Sequence, residues 1–205
     1  MGSITVIGTG NMARTLAGLA IRGGHTVEVM GRDQAKADDL AARLGATAGK
    51  WGEAPTGDIV ITALLAAAVV PTVAEFGDAL AGKVVVDISN PFNATFDGLA
   101  HDAETSVAQQ AADVAPADTA VVKAFNTIFS GVLENGRPDV FVAGDSTEAK
   151  AGVAAFVESI GLRPLDVGGL RMATWLEGMG LVAVGLAGHG VGHGNFALGV
   201  AEFTG

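Results

Sequence analysis

SITVIGTGNMARTLAGLAIRGG, residues Ser3 to Gly24, is the stretch from which the fold can be read. Ile4, Val6 and Ile7 form a short apolar run. Gly8, Gly10 and Ala13 follow at G-x-G-x-x-A spacing, and Met12, Leu16, Leu19 and Ala20 then recur at helical intervals. The pattern reads strand, tight turn, helix. Its small residues serve different ends: Gly8 takes the backbone angles of a sharp turn, Gly10 lets a pyrophosphate approach the main chain, and Ala13 lets helix and strand pack closely. Free N–H groups at the helix start then face the anion. The helix is expected to stop at Arg22-Gly23-Gly24, where paired glycines supply a left-handed cap.

Outward from that unit, strand and helix patterns alternate to the end of the chain. Strands are expected at Thr26–Met30, Asp58–Leu64, Lys83–Ile88, Ala120–Ala124, Val140–Ala143 and Arg163–Val167, and the unbroken apolar run of Asp58–Leu64 suits a parallel sheet covered on both faces. Helices are expected at Ala35–Leu44, Ala66–Leu80 with Pro71 tolerated near its start, Ser106–Val114, and Thr147–Ile160. Asp145 with Glu148 three residues on marks the start of that last helix as a capping box. Ser89-Asn90-Pro91 is a turn at the carboxyl edge of the sheet, and the polar stretch from Phe92 to Thr105 reads as loop. The fold class is therefore α/β: a doubly wound, mainly parallel Rossmann-type sheet in residues 1–168, with a short helical segment in residues 169–205 belonging to the same compact unit.

The residues after the second strand bear on which nicotinamide cofactor fits. An acidic side chain there holds the adenosine ribose of NAD. Here the order is Gly31-Arg32-Asp33: Gly31 leaves room for a 2′-phosphate, Arg32 can meet it with a charge-assisted fork, and Lys36 lies one helical turn on. NADP(H) is the expected cofactor. The competing reading makes Arg32 an ordinary solvated charge and gives the ribose of NAD to Asp33.

Composition narrows the function classes. Twelve Lys and Arg against 22 Asp and Glu leave a formal charge of −10, which opposes a general role on nucleic acid or on anionic membranes. Cysteine is absent, which excludes disulfides and thiolate metal sites and is compatible with a cytoplasmic setting. No signal peptide is read, since the N-terminus enters a strand at once. Gly178 to Ala201 carries no Asp, Glu, Lys or Arg and is long enough to cross a bilayer, but its eight glycines, two histidines and Asn195 favour a buried or ligand-facing segment of broken helix. That apolar tail also makes a homodimer the expected assembly.

There is no nucleophile elbow, no H-E-x-x-H zinc spacing and no P-loop. His189 and His193 are four apart, yet Gly190 and Gly192 weaken any helix that would align them, so no metal is expected. Lys123 and Asn126 show the Lys-x-x-Asn spacing of 3-hydroxyacid dehydrogenases, but here the pair leaves a strand, so Lys123 is a weak candidate for a catalytic acid. These absences fit a chain whose expected nicotinamide cofactor carries the chemistry and asks the protein only for alignment and exclusion of water.

The turn Gly8-Thr9-Gly10-Asn11-Met12, the pair Gly31-Arg32, the run Lys123-Ala124-Phe125-Asn126-Thr127-Ile128, the stretch from Gly161 to Gly168 and the tail Gly190-Val191-Gly192 together resemble the NADPH-dependent coenzyme F420 reductases, or F420H2:NADP oxidoreductases. The resemblance covers nearly the whole chain. It implies reversible hydride transfer between NADP(H) and the 5-deazaflavin coenzyme F420, stacked in a cleft at the carboxyl edge. It further implies that Thr9, Gly10, Asn11 and Met12 form the pyrophosphate turn and that Arg32 and Lys36 meet the 2′-phosphate. The loop from Asn126 through Ile128 to Ser130 would border the nicotinamide with Leu65, and the deazaflavin would stack under the Gly190 to Phe196 segment, against Gly190 and Gly192. The chain departs from the family at Gly31, where serine is common, and at Leu65-Ala66, where some members carry Pro-Trp. Two other classes stay open: an NADP-dependent reductase of an imine or carbonyl, whose usual relatives add a larger helical domain than the 37 residues after Gly168, and a non-catalytic NADP(H) sensor.

Overall fold

A computed structural model describes residues 2–100 and 105–203. The opening unit forms as its pattern dictates: β1 (Ser3–Ile7), α1 (Asn11–Arg22) and β2 (Thr26–Met30), with β1 and β2 parallel and Val6 paired with Val29. The chain continues through α2 (Gln34–Leu44), β3 (Thr47–Ala48), β4 (Ile59–Thr62), α3 (Ala66–Phe76), β5 (Val84–Asp87), α4 (Val107–Val114), β6 (Ala120–Lys123), α5 (Ser130–Asn135), β7 (Asp139–Gly144), α6 (Thr147–Ser159), β8 (Arg163–Gly168) and α7 (Ala173–Gly188). All eight described strands join one sheet in the order β3-β2-β1-β4-β5-β6-β7-β8. Neighbours run parallel except β6 and β7, so β7 and β8 point opposite to the rest. The short helix α5 explains the reversal, because the chain returns into β7 from the carboxyl edge instead of crossing back beneath the sheet.

Alternation along the strands builds two cores. Ile4, Val6, Ile61, Val86 and Val122 face the layer of α1, α2, α5 and α6, meeting Leu16, Leu40, Leu133 and Phe156. Val60, Val85 and Val121 face the opposite layer, where Val69, Val73, Phe76 and Ala108 come from α3 and α4 and Ala173 from α7. Strands buried on both faces carry apolar residues at successive positions, which is why their sequence reads as runs.

Several local expectations are corrected. Gly24, at φ 83°, takes the left-handed conformation, while Gly23 at φ −75° does not. The expected helix from Ala66 to Leu80 divides into α3 and a 3-10 turn at Gly77–Leu80, and Pro71 sits inside α3. The cap of α6 is Ser146, whose hydroxyl accepts from the Ala149 N–H at 3.1 Å. Asp145 instead accepts from the Leu170 N–H at 2.8 Å, tying α6's approach to the start of the C-terminal segment. The short elements β3 and α5 were not expected. Residues 101–104 of the expected Phe92–Thr105 loop lie outside the described residues.

The C-terminal segment is not a broken helix as far as Gly188. Residues Leu170–Gly188 are long and apolar enough to cross a membrane, but here Ala173, Leu176, Glu177, Gly180 and Ala183 form one face turned onto the protein. Glu177 fixes that face. Lys123 at the end of β6 donates from Nζ to Asp87 Oδ2 at 2.7 Å, to Glu177 Oε1 at 2.9 Å and to the Ser89 carbonyl at 2.7 Å, and all three charged side chains are sealed from solvent. Glu177 Oε1 also accepts the Val107 N–H at the start of α4.

Removing the cation should leave two carboxylates buried without their counter-charge. Lys123→Met is therefore expected to lower unfolding free energy by about 3–5 kcal/mol in urea melts. Burial pushes the Glu177 carboxyl above its ordinary 4.5, with the attraction of Lys123 opposing it. A raised folded pKa means the protonated form favours folding. That contribution is complete below 4.5 and is lost as pH climbs through the raised value. Glu177→Gln should remove this slope, so the variant should gain on the parent protein between acid and neutral pH. Urea melts at both ends of the range check it.

Candidate functional site

A cavity of about 650 Å3 runs along the carboxyl edge of the sheet across the ends of β2, β1, β4 and β5. Its floor is the first turn. Gly8 has φ 134° and donates its N–H to the Met30 carbonyl at 2.8 Å, locking the turn to the neighbouring strand. A side chain there would meet the Ala63 carbonyl oxygen at 2.3 Å. Gly10 is the N-cap of α1 and offers no side-chain cap, so the first N–H groups of the helix keep their donors for another partner. A Cβ on Gly10 would meet nothing within 4 Å, which leaves that face of the turn open to a ligand. Such a turn, at a helix N-terminus with no acidic residue in its first helical turn, is built for a phosphate group.

At the β2 end, Gly31, Arg32, Asp33 and Lys36 line the cavity with Trp51. Both cations have carboxylate partners: Arg32 Nη2 lies 3.2 Å from Glu75 Oε2, and Lys36 Nζ lies 3.2 Å from Asp33 Oδ2. Asp33 is also the N-cap of α2. Its hydrogen bond from the Lys36 backbone N–H is the main cause of a carboxyl held below its ordinary value.

At the β4 and β5 end the wall is Ala63, Leu64, Leu65, Ile88, Ser89, Asn90 and Phe92. Its backbone is pinned from behind. The Ser89 N–H donates to Asp87 Oδ1 at 2.9 Å, while the Ser89 carbonyl takes the Lys123 ammonium. Asn90 is gripped by Asn126: Asn90 Nδ2 donates to the Asn126 carbonyl at 2.6 Å, and Asn126 Nδ2 donates to Asn90 Oδ1 at 2.8 Å. Phe125 stands at φ 60° just before Asn126, a conformation costly for a bulky residue and typical of a backbone over-determined by its surroundings. The helix α7 presses on the same point, since a Cβ on Gly180 would meet Asn90 Oδ1 at 2.8 Å.

The fit to a dinucleotide rests on three observations. The Gly10 face is open, the arginine and lysine lie three strand spacings from the pinned Ser89-Asn90 wall along the order β2-β1-β4-β5, and two wall hydroxyls, Thr72 Oγ1 and Ser89 Oγ, are buried with no hydrogen-bond partner. Buried hydroxyls without partners are uncommon enough to call for a reason, and a ligand-shaped wall supplies one.

Of the residues named from the sequence, Gly8, Thr9, Gly10, Asn11, Met12, Gly31, Arg32, Lys36 and Leu65 meet on this cavity. Asn126 stands behind Asn90, Ile128 is buried in the core and Ser130 begins α5; none lines the cavity. Lys123 is a buried strut and does not reach the cavity. Gly190 and Gly192 are also outside it, because α7 runs unbroken to Gly188 and carries them past it. Phe196 then packs on Phe129, with ring centroids 5.8 Å apart, and Val200 donates its N–H to Asp139. The C-terminal segment instead approaches the site at Gly180. Trp51, Thr72 and Phe92 were missed, whereas Ser89 and Asn90 were read as a turn at the carboxyl edge without being named as site residues. Only Ser89-Asn90 had a readable signal, as the first residues past a strand end. A second, largely apolar cavity of about 390 Å3 shares Leu65, Ala66, Asn90 and Phe92 with the first and continues to Val70, Val107 and Gln110.

Fold and cavity define a Rossmann-type dinucleotide-binding protein. The sequence pattern of the family described as NADP oxidoreductase, coenzyme F420-dependent, matches residues 3–91. The F420-dependent NADP reductase of Methanothermobacter thermautotrophicus is 31% identical over 198 residues, covering 85% of this chain and 84% of that protein. The metalloreductase STEAP3 of Rattus norvegicus is 31% identical over 182 residues, but the chain spans only 36% of its length. A crystal structure of a proposed F420-dependent NADP reductase from Arthrobacter sp. FB24 superposes with a TM-score of 0.88 at 27% identity, covering 98% of this chain and all of that one. The chain belongs to the coenzyme F420-dependent NADP oxidoreductase family.

The two turn glycines should separate in their effects. Gly8→Ala meets both a backbone clash and a left-handed φ, and should cost at least about 2 kcal/mol of stability. Gly10→Ala should stay within about 1 kcal/mol of the parent protein, since its Cβ enters open space. Chemical denaturation of both variants checks the contrast.

Proposed function

We propose that the protein catalyses reversible hydride transfer between NADP(H) and the deazaflavin coenzyme F420. The observation that carries this reading is that two neighbouring cavities share Leu65, Ala66, Asn90 and Phe92 in their walls: one runs past the glycine turn, Arg32 and Lys36, and the other is smaller and largely apolar. On this reading the Gly8–Met12 turn holds the pyrophosphate with backbone N–H groups, and Arg32 with Lys36 holds the 2′-phosphate. The pinned Ser89-Asn90 wall then sets where the nicotinamide end stops. A bound reduced nicotinamide supplies the hydride. The protein's share is alignment of the two partners and exclusion of water, for which the apolar side cavity is suited. Lys123 has no part in proton transfer here, since Asp87, Ser89 and Glu177 hold its ammonium away from both cavities.

On this reading the apolar cavity receives the second ring, and Gly190 and Gly192 lie outside its lining. It lies beside the pinned wall, where a second flat ring would meet the nicotinamide end. A nucleotide sensor would have no use for it. The family's F420-dependent members support the deazaflavin as the partner.

Absorbance of the purified protein mixed with NADPH and oxidised F420 tests the proposal, with a cyclic imine and a ketone as parallel acceptors. Loss of the deazaflavin band with NADPH oxidation is expected. Turnover of the imine or ketone alone would move the chain to the other reductase class, and binding of NADPH with no turnover of any acceptor would favour the sensor. The cofactor assignment has its own check by calorimetry. A charge-assisted bond to the 2′-phosphate is worth about 1.5–3 kcal/mol, so Arg32→Ala should weaken NADPH roughly ten- to hundredfold and leave NADH nearly unchanged.

A further inference from the structure

Arg32 is held from two sides before any ligand arrives. Its guanidinium carbon lies 5.1 Å from the centroid of the Trp51 ring, and its Nη2 lies 3.2 Å from Glu75 Oε2. The other oxygen of the same carboxylate takes the Trp51 indole N–H at 2.6 Å. Trp51 in turn packs edge-on to Phe76, with centroids 5.1 Å apart and planes at 80°. Glu75 is therefore seated by two donors on a rigid aromatic base. It stands behind Arg32 and Trp51 and does not itself line the cavity.

The charge at this end is what makes the arrangement notable. Arg32 and Lys36 are the cations, Glu75 and Asp33 their partners, and the four cancel. A 2′-phosphate brings close to two negative charges to a site that is neutral on balance. Asp33 has a structural duty as the cap of α2. Glu75 lies within α3, next to the helix end at Phe76, and caps nothing.

We propose that Glu75 is the specificity-setting residue of the adenosine end: its carboxylate, seated on Trp51, holds back the preference for NADP(H) over NAD(H) by keeping a negative charge on the far side of Arg32. This rests on the reading of Arg32 as the 2′-phosphate ligand. Glu75 acts through Arg32 and touches no cofactor, so it is a positioning residue. NADH brings no charge to that point, so the carboxylate behind Arg32 leaves its binding almost untouched.

Glu75→Gln keeps an oxygen for the Trp51 N–H and removes only the charge. Titration of NADPH and NADH at low ionic strength should show NADPH tightening about three- to tenfold and NADH changing by less than about twofold. The gain should shrink in high salt and vanish in the Arg32→Ala background, where there is no guanidinium to release. Unchanged or weaker NADPH binding by Glu75→Gln would overturn the proposal, and would mean that the carboxylate only steadies Arg32. Equal tightening of both dinucleotides would overturn it too. The underlying reading fails separately: if Arg32→Ala alone leaves the ratio of NADPH to NADH affinity unaltered, the 2′-phosphate is not met by Arg32, whatever Glu75 does.

Discussion

The carboxyl edge of this sheet depends on one ammonium group. Lys123 sits at the end of β6 with no solvent contact, and its three acceptors come from two separate places in the chain, the end of β5 and α7. Asp87 belongs to β5, Ser89 to the wall that follows it, and Glu177 to the second turn of α7. An ion cluster of this kind adds little net stability, since withdrawing the charges from water costs several kcal/mol per ion. Its effect is geometric. Any shift of α7 or of the Ser89-Asn90 wall would leave a buried charge unpaired, so the cluster penalises every arrangement but one. Asn126 completes it by gripping Asn90 and donating to the Leu176 carbonyl at 2.8 Å, which ties α7 to the same wall a second time.

That constraint explains why α7 is helical where glycine content argues against it. Gly178, Gly180, Gly185 and Gly188 lie within the helix or end it, at an intrinsic cost of up to about 1 kcal/mol each relative to alanine. Propensity loses to packing here. Gly180 crosses Asn90 so closely that a methyl group would have no room, and Glu177, one turn earlier, is held by Lys123 and by the Val107 N–H. The glycines that read as helix breakers are the means by which the helix approaches the site.

What the sequence made legible follows the range of the interactions concerned. The unit from β1 to β2 is local, and its glycine spacing, apolar runs and helix period all fall within about thirty residues, so its reading held along with the mainly parallel sheet. The elements missed were too short for any period to show, with two residues in β3 and six in α5. Asp145 and Ser146 were confused as helix caps because both residue types cap well and sit side by side; a bond to Leu170, twenty-five residues away, decided between them. In the site, Arg32 and Lys36 could be found because they follow a strand. Trp51 and Glu75 could not, because a loop after β3 and the last turn of α3 reach Arg32 only through the strand order β3-β2-β1-β4.

A chain with a net charge of −10 must still present a favourable place to polyanionic ligands, and it has two ways to do so. Backbone N–H groups at the start of α1 carry partial positive charge that no titration removes and no distant carboxylate neutralises, whereas side-chain cations in an acidic protein attract partners. Both are visible here. The turn at Gly8 to Met12 has no acidic residue in the first turn of its helix, and Gly10 exposes the donors directly. Arg32 and Lys36 are each compensated. Under the proposed function, affinity for a dinucleotide in general falls to the backbone and discrimination between dinucleotides to the paired side chains, a division in which cofactor preference can change without disturbing the turn.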